Sequence, residues 1–198
     1  MFKSIPMLAG AAAGVYLAVA TGAAPPPSEL LAHLSHGSLS SVLAGSSSSS
    51  CSADWGTGSQ SGAARGGHAG KALDVRVGAH HCYDRMVIDL GPGAVPGYRV
   101  GYTGAVRSEG SGRAVPLRGR AQLAITLRGS AAASFPAWGS ELANVSGFAV
   151  FRQVAGAGSA EGSTEIGLGV RARRPFRVEV LQGPGQDSRL VIDVAKHR

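Results

Sequence analysis

Apolar and polar residues alternate along two stretches that are near-copies of each other. They are Asp84-Arg85-Met86-Val87-Ile88-Asp89-Leu90-Gly91 and Ser188-Arg189-Leu190-Val191-Ile192-Asp193-Val194-Ala195. The period is two, as in a strand. Met86, Ile88 and Leu90, or Leu190, Ile192 and Val194, point to one face and belong to a core, while Arg, Val and Asp point to the other. On that second face Arg and Asp flank a central Val. Antiparallel pairing with Val87 opposite Val191 therefore sets Arg85 against Asp193 and Asp89 against Arg189, whereas parallel pairing in the same register sets Arg beside Arg. The pattern predicts that the first and last halves of the domain close on each other. The alternative is that the two copies occupy equivalent places on separate sheets.

Short runs of the same kind recur at 73–77, 98–102, 114–117, 122–128, 145–154, 164–171 and 176–181, between the two copies at 83–90 and 189–194. Turns are signalled by Gly91-Pro92-Gly93, Glu109-Gly110-Ser111-Gly112 and Gly183-Pro184-Gly185. The Ala-rich stretch 129–141, with Phe135-Pro136 and Trp138, reads as a loop with at most one helical turn. The expected fold is all-β: a β-sandwich of about nine short strands with an internal repeat.

Composition changes sharply toward the N-terminus. Residues 1–20 read as a secretory signal peptide, with Lys3, an apolar run from Ile5 and a small-x-small end at Ala18-Val19-Ala20. The run is shorter than the roughly 20 residues of a spanning helix, so the mature chain is expected to have no transmembrane span, with an uncleaved anchor as the alternative. Residues 21–50, with Pro25-Pro26-Pro27 and Ser46 to Ser50, read as a disordered Pro/Ser-rich linker reaching on the order of 30 Å. Leu30, Leu31, Leu34, Leu39, Val42 and Leu43 leave room for a short amphipathic helix in it, which Gly37 and the serines oppose. The domain proper is 51–198.

Export bears on Cys51 and Cys82, the two cysteines of the chain. In an oxidising compartment an even count reads as one disulfide, here closing a loop worth roughly 3 to 4 kcal/mol. A lipid anchor is the alternative, but Ser46 breaks the lipoprotein pattern after Leu43-Ala44-Gly45, and serines rather than that pattern precede Cys51.

The net charge is +7, and Lys3, Lys71 and Lys196 are the only lysines among 19 cations. The densest group is Arg171, Arg173, Arg174 and Arg177. An anionic wall polymer or membrane surface fits an exported basic chain. Nucleic acid does not, because the basic stretch lacks interleaved aromatics. A solvated strand face is the plainer reading of these arginines.

Catalytic patterns are missing. His80 and His81 point to opposite faces of a strand, so no metal site is expected, and no Gly-x-Ser-x-Gly elbow occurs. Gly167-Leu168-Gly169 never completes a phosphate-cradle motif, and Glu161 with Glu165 is a weak carboxylate pair. The expectation is a non-enzyme without cofactors.

Further residues fall into a family pattern. They are Val75-Arg76-Val77-Gly78-Ala79-His80-His81-Cys82-Tyr83-Asp84-Arg85-Met86-Val87-Ile88-Asp89-Leu90, then Pro96-Gly97-Tyr98-Arg99-Val100-Gly101-Tyr102, Glu109-Gly110-Ser111-Gly112, and Leu168-Gly169-Val170-Arg171-Ala172-Arg173 before Pro175-Phe176-Arg177-Val178. In their order and spacing, the region from about Cys51 to Val194 resembles the AMIN-like domain of exported actinobacterial proteins. Cys51-Ser52-Ala53-Asp54-Trp55-Gly56 looks like that family's N-terminal extension, which supports pairing of Cys51 with Cys82. The family is similar to the AMIN domain, a β-sandwich module that takes cell-wall amidases and envelope secretion proteins to peptidoglycan.

The resemblance implies a secreted or cell-wall-associated module that binds peptidoglycan, with Arg85, Asp89, Arg189 and Asp193 as candidate contacts. Cross-strand ion pairing is an equal reading of those four residues. Tyr98, Tyr102, Trp55 and Trp138 are candidate stacking faces for sugars, or else core filler. Asp84 reads as the residue that opens its strand. The competing functions are an accessory protein docking onto another envelope protein through a sheet edge, and a carrier of an apolar ligand between the sheets.

Overall fold

The computed structural model describes residues 51–197 apart from 52–53, 67–69, 94, 134, 136 and 184. The expected signal peptide (1–20), linker (21–50) and amphipathic helix lie outside the described residues. Ten strands form two antiparallel sheets: β1 (Gln60–Gly62), β2 (Ala72–Ala79), β3 (Tyr83–Leu90), β4 (Gly97–Thr103), β5 (Ala121–Arg128), β6 (Glu141–Ala143), β7 (Phe151–Ala160), β8 (Ser163–Val170), β9 (Phe176–Gln182) and β10 (Ser188–Ala195). One sheet runs β1-β4-β5-β8-β7-β6 and the other β2-β3-β10-β9. They pack as an all-β sandwich.

The twin segments are β3 and β10, adjacent and antiparallel, with Val191 opposite Val87, Asp193 opposite Arg85 and Arg189 opposite Asp89. The inward sides of the two sheets fill one core, in which Met86, Ile88, Leu90, Leu190, Ile192 and Val194 meet Leu123, Ile125, Ile166 and Leu168. Large apolar side chains at period two thus find a partner surface on the other layer, the arrangement that drives sandwich packing.

Two expected strands differ. The run 114–117 makes only an isolated bridge, Arg107 with Ala114. The run 145–154 starts late, because Gly147 at φ 83° and the bond from Phe148 N to Val145 O turn the chain first. β7 then continues through Ala155-Gly156-Ala157-Gly158-Ser159-Ala160. That half has little β propensity of its own, and its ladder to β8 holds it in place. The β7–β8 hairpin turns on Glu161 and Gly162, both at positive φ (49° and 76°), as a two-residue primed turn requires.

A second, smaller cluster lies on the outer face of the six-stranded sheet. There Val106, Val115 and Leu117, from the segment between β4 and β5, pack on Ala124, Ala155 and Ala157. Gly167 and Gly169 let that segment approach: a Cβ on Gly167 would sit 2.7 Å from Leu117 Cδ1, and one on Gly169 would overlap the Arg118 carbonyl oxygen. The Gly-Leu-Gly triplet is a packing surface.

The N-terminal stretch spans both layers. Cys51 is bonded to Cys82, and Phe176 N donates to Gly56 O at 3.0 Å. The Gln60 side chain then satisfies two backbone groups on the edge of β9, donating to Phe176 O at 2.7 Å and accepting from Val178 N at 3.0 Å. β1 meanwhile pairs with β4 of the other sheet. An otherwise unpaired strand edge is thereby covered.

Candidate binding surface

The outer face of the four-stranded sheet collects the residues singled out by the repeat, but the two halves of the motif end up in different surroundings. Arg85 grips Asp193 at two points, Nε to Oδ1 at 2.6 Å and Nη2 to Oδ2 at 2.8 Å. Arg177 of β9, directly opposite Asp193, donates its Nε to Oδ2 at 2.9 Å. The Asp193 side chain is fully covered while Arg85 and Arg177 remain 23% and 35% exposed. A buried carboxylate is thus held by two guanidinium groups, which is what its desolvation demands. The bond to Asp193 also raises the Arg85 pKa.

Aromatic rings build around these arginines. Tyr83 lies under both, 5.1 Å from Arg85 and 5.8 Å from Arg177, and Arg177 also stacks on Trp55 at 4.6 Å. His80 stacks on Tyr83 at 4.6 Å. Tyr83 was not among the expected contacts; its outward position one turn of the pleat from Arg85 was the available signal. The disulfide holds Trp55 near this cluster by tethering the stretch that carries it.

At the other end of the motif the expected Asp89–Arg189 pair does not form. Asp89 is taken by Arg76 of β2, Nε to Oδ2 at 2.5 Å and Nη2 to Oδ1 at 2.6 Å. The reason lies in the flanking strands. β2 sets Asp74 opposite Asp89 and Arg76 opposite Val87, so Arg76 reaches diagonally to relieve two facing carboxylates. β9 sets Leu181 opposite Arg189. Arg189 Nε is buried and has no hydrogen-bond partner among the described residues.

Other candidates turn elsewhere. Tyr98 and Tyr102 pack against the core cluster from β4. A Cβ on Gly62 would overlap the Tyr98 ring, while Tyr102 meets Phe176 edge-on at 5.7 Å and exchanges hydrogen bonds with Arg174 N and O, both at 2.8 Å. Burial raises the Tyr102 pKa, against the bond to Arg174. Trp138 joins the smaller cluster with Arg113 stacked 4.0 Å above it. Cys51, His81 and Cys82 lie within 4.8 Å of one another, but the sulfurs are joined and offer no thiolate to a metal.

Asp84 does more than open β3. It faces inward, fully buried, and its Oδ2 accepts from Val150 N at 2.6 Å and Phe151 N at 3.2 Å. It thus caps the start of β7 on the opposite sheet, with Lys196 Nζ 3.5 Å from Oδ1.

The model of the AMIN-like domain family matches residues 70–196, the stretch that holds β2 to β10. The chain belongs to this family. No curated protein and no solved structure matches the chain. Family membership points to a cell-wall-related module, and no helix among the described residues is long and apolar enough to cross a membrane. In this AMIN-like domain the repeated strands sit side by side on one outward-facing surface, closed by ion pairs at the Asp193 end and with no ion pair at Arg189 among the described residues.

Proposed function

We propose that this AMIN-like domain is a secreted, non-catalytic module that binds peptidoglycan and so localises its chain to the cell wall. The observation that supports the reading is the outer face of the β2-β3-β10-β9 sheet. Its Arg/Asp positions are aligned across neighbouring strands, and Arg189 keeps a donor without a partner among the described residues. No carboxylate among the described residues pairs with Arg189, so its guanidinium is left to offer donors to the hydroxyl and carbonyl oxygens of a ligand. Arg76 and Asp89, more exposed than the Asp193 cluster, flank it with polar groups suited to glycan hydroxyls.

Sedimentation with purified insoluble wall tests this reading. The full chain co-sediments, and Arg189→Ala weakens retention several-fold while the melting temperature holds. Retention indifferent to Arg189→Ala and Arg76→Ala moves the contact off this face. No retention overturns the wall reading in favour of docking onto another envelope protein.

A further inference from the structure

At the end of the sandwich where β8 stops and β9 begins, three chain segments converge on an arginine-lined pocket of about 490 Å³ formed by Gly119, Arg120, Arg152, Arg171, Ala172 and Arg174. We propose that this pocket binds the carboxylate groups of peptidoglycan stem peptides. The assignment rests on the wall-binding reading and names the group that the wall would present.

The pocket is built by the backbone. Arg120 N donates to Val170 O at 2.9 Å and Arg171 N to Val150 O at 2.8 Å, while Tyr102 fixes Arg174 through both its backbone groups. Gly119, at φ 120°, permits the approach, since a Cβ there would lie 2.5 Å from Val170 O. The four arginines are therefore delivered from 118–120, 150–152 and 171–174 by a stitched framework rather than by one flexible loop.

Their charge is not neutralised locally. Arg152 spends its guanidinium on carbonyl oxygens, Nη1 to Phe148 O at 3.0 Å and to Phe151 O at 2.7 Å, and Nη2 to Ala149 O at 3.2 Å, which holds it in place without a carboxylate partner among the described residues. Among the described residues, Arg120, Arg171 and Arg174 have no ion-pair partner. Among the described residues no carboxylate lines the pocket. A neighbouring pocket shares Gly119 and Arg120 and adds Arg173 and Tyr102, so the cationic surface continues past one anion. Like charges brought together without counter-charges are unfavourable until an anion joins them, and guanidinium forks match planar carboxylates at two points. Stem peptides present several free carboxylates along a strand, which suits a pocket with a cationic extension.

The test uses the full chain and wall prepared in three ways: untreated, carboxyl-amidated with carbodiimide and ammonia, and stripped of phosphodiester-linked polymers with hydrofluoric acid. The variants are Arg120→Gln/Arg171→Gln and Arg174→Gln, which spare Arg152 and its backbone contacts. Wild type is expected to sediment with untreated and stripped wall. Amidation, and equally the double variant, are expected to weaken retention about tenfold, with an unchanged melting temperature. Variants retained like wild type overturn the pocket while the wall reading stands. Retention lost on stripping but kept on amidation overturns the carboxylate assignment in favour of a phosphate polymer. Wild type failing to sediment with any preparation overturns the wall reading and this assignment with it.

Discussion

Arg85 and Asp193 are 108 positions apart in the chain and meet through a two-point ion pair, Nε to Oδ1 at 2.6 Å and Nη2 to Oδ2 at 2.8 Å. Asp193 is fully covered and Asp89 is not, so the two equivalent acids of the repeat should differ in worth. Asp193→Asn leaves two guanidinium groups facing a neutral amide and should cost about 2–4 kcal/mol, whereas Asp89→Asn should cost under about 1 kcal/mol. Urea unfolding of the two variants measures this; equal losses would show that burial does not separate them. Because Arg177 also holds Asp193, exchanging the charges of Arg85 and Asp193 should restore only part of the stability lost by either change alone.

Removing the Cys51–Cys82 bond by serine substitution at both positions should lower stability by roughly 3 kcal/mol. The loss should have a local signature. Phe176 N and Val178 N are bonded to Gly56 and Gln60, on the stretch that the bond tethers, so their hydrogen exchange should accelerate ahead of the β3–β10 ladder. Uniform acceleration would mean that the stretch does not cover β9 independently.

Glu165 gives a pH dependence. Burial raises its pKa from 4.5 to about 7, with the charge of Glu109 adding and the bond from Thr126 opposing. The folded state therefore keeps a proton that the unfolded chain has already released, so the contribution is fully present below about 4.5 and is lost as pH rises through about 7. The fall should be about 1–2 kcal/mol once solvent screening at the sheet surface is allowed for. Glu165→Gln should flatten stability between pH 5 and 7.5, which thermal unfolding at both values checks; a variant as pH-dependent as wild type would exclude Glu165 as the source.

Gly169→Ala should cost about 2–4 kcal/mol, because the new methyl group meets the Arg118 carbonyl oxygen, a backbone atom with no room to yield. Gly104→Ala, with open space around it, should be close to neutral. Thermal melts of the pair distinguish close backbone approach from a general need for glycine.

Much of this architecture was legible beforehand, and the gaps have physical causes. The β3–β10 register could be read because period-two apolarity set the faces and opposite charges set the direction. The partner of Asp89 could not, since it depends on Asp74, Arg76 and Leu181 arriving from strands whose order the sequence did not reveal. The second half of β7 hid behind alanine and glycine, whose strand character comes from the neighbouring ladder. β1 and β6 are too short to show a period. Of the arginine pocket only the run 171–174 stood out; Arg120 and Arg152 join it through contacts made after the sandwich closes. The inward role of Asp84 was likewise invisible until Val150 and Phe151 came across from the other layer.

Lys196 N donates to Cys82 O, so the point where the chain leaves β10 lies beside the sulfur that joins Cys51 to the start of β3. Tension drawn between the chain before Cys51 and the chain after Lys196 would bypass β1 and β2 and converge on that corner. It would peel β10 from β3 one rung at a time, like a zip. The clasp formed by Arg85, Arg177 and Asp193 stands among the first rungs, where a mechanical load would meet resistance before reaching the apolar interior.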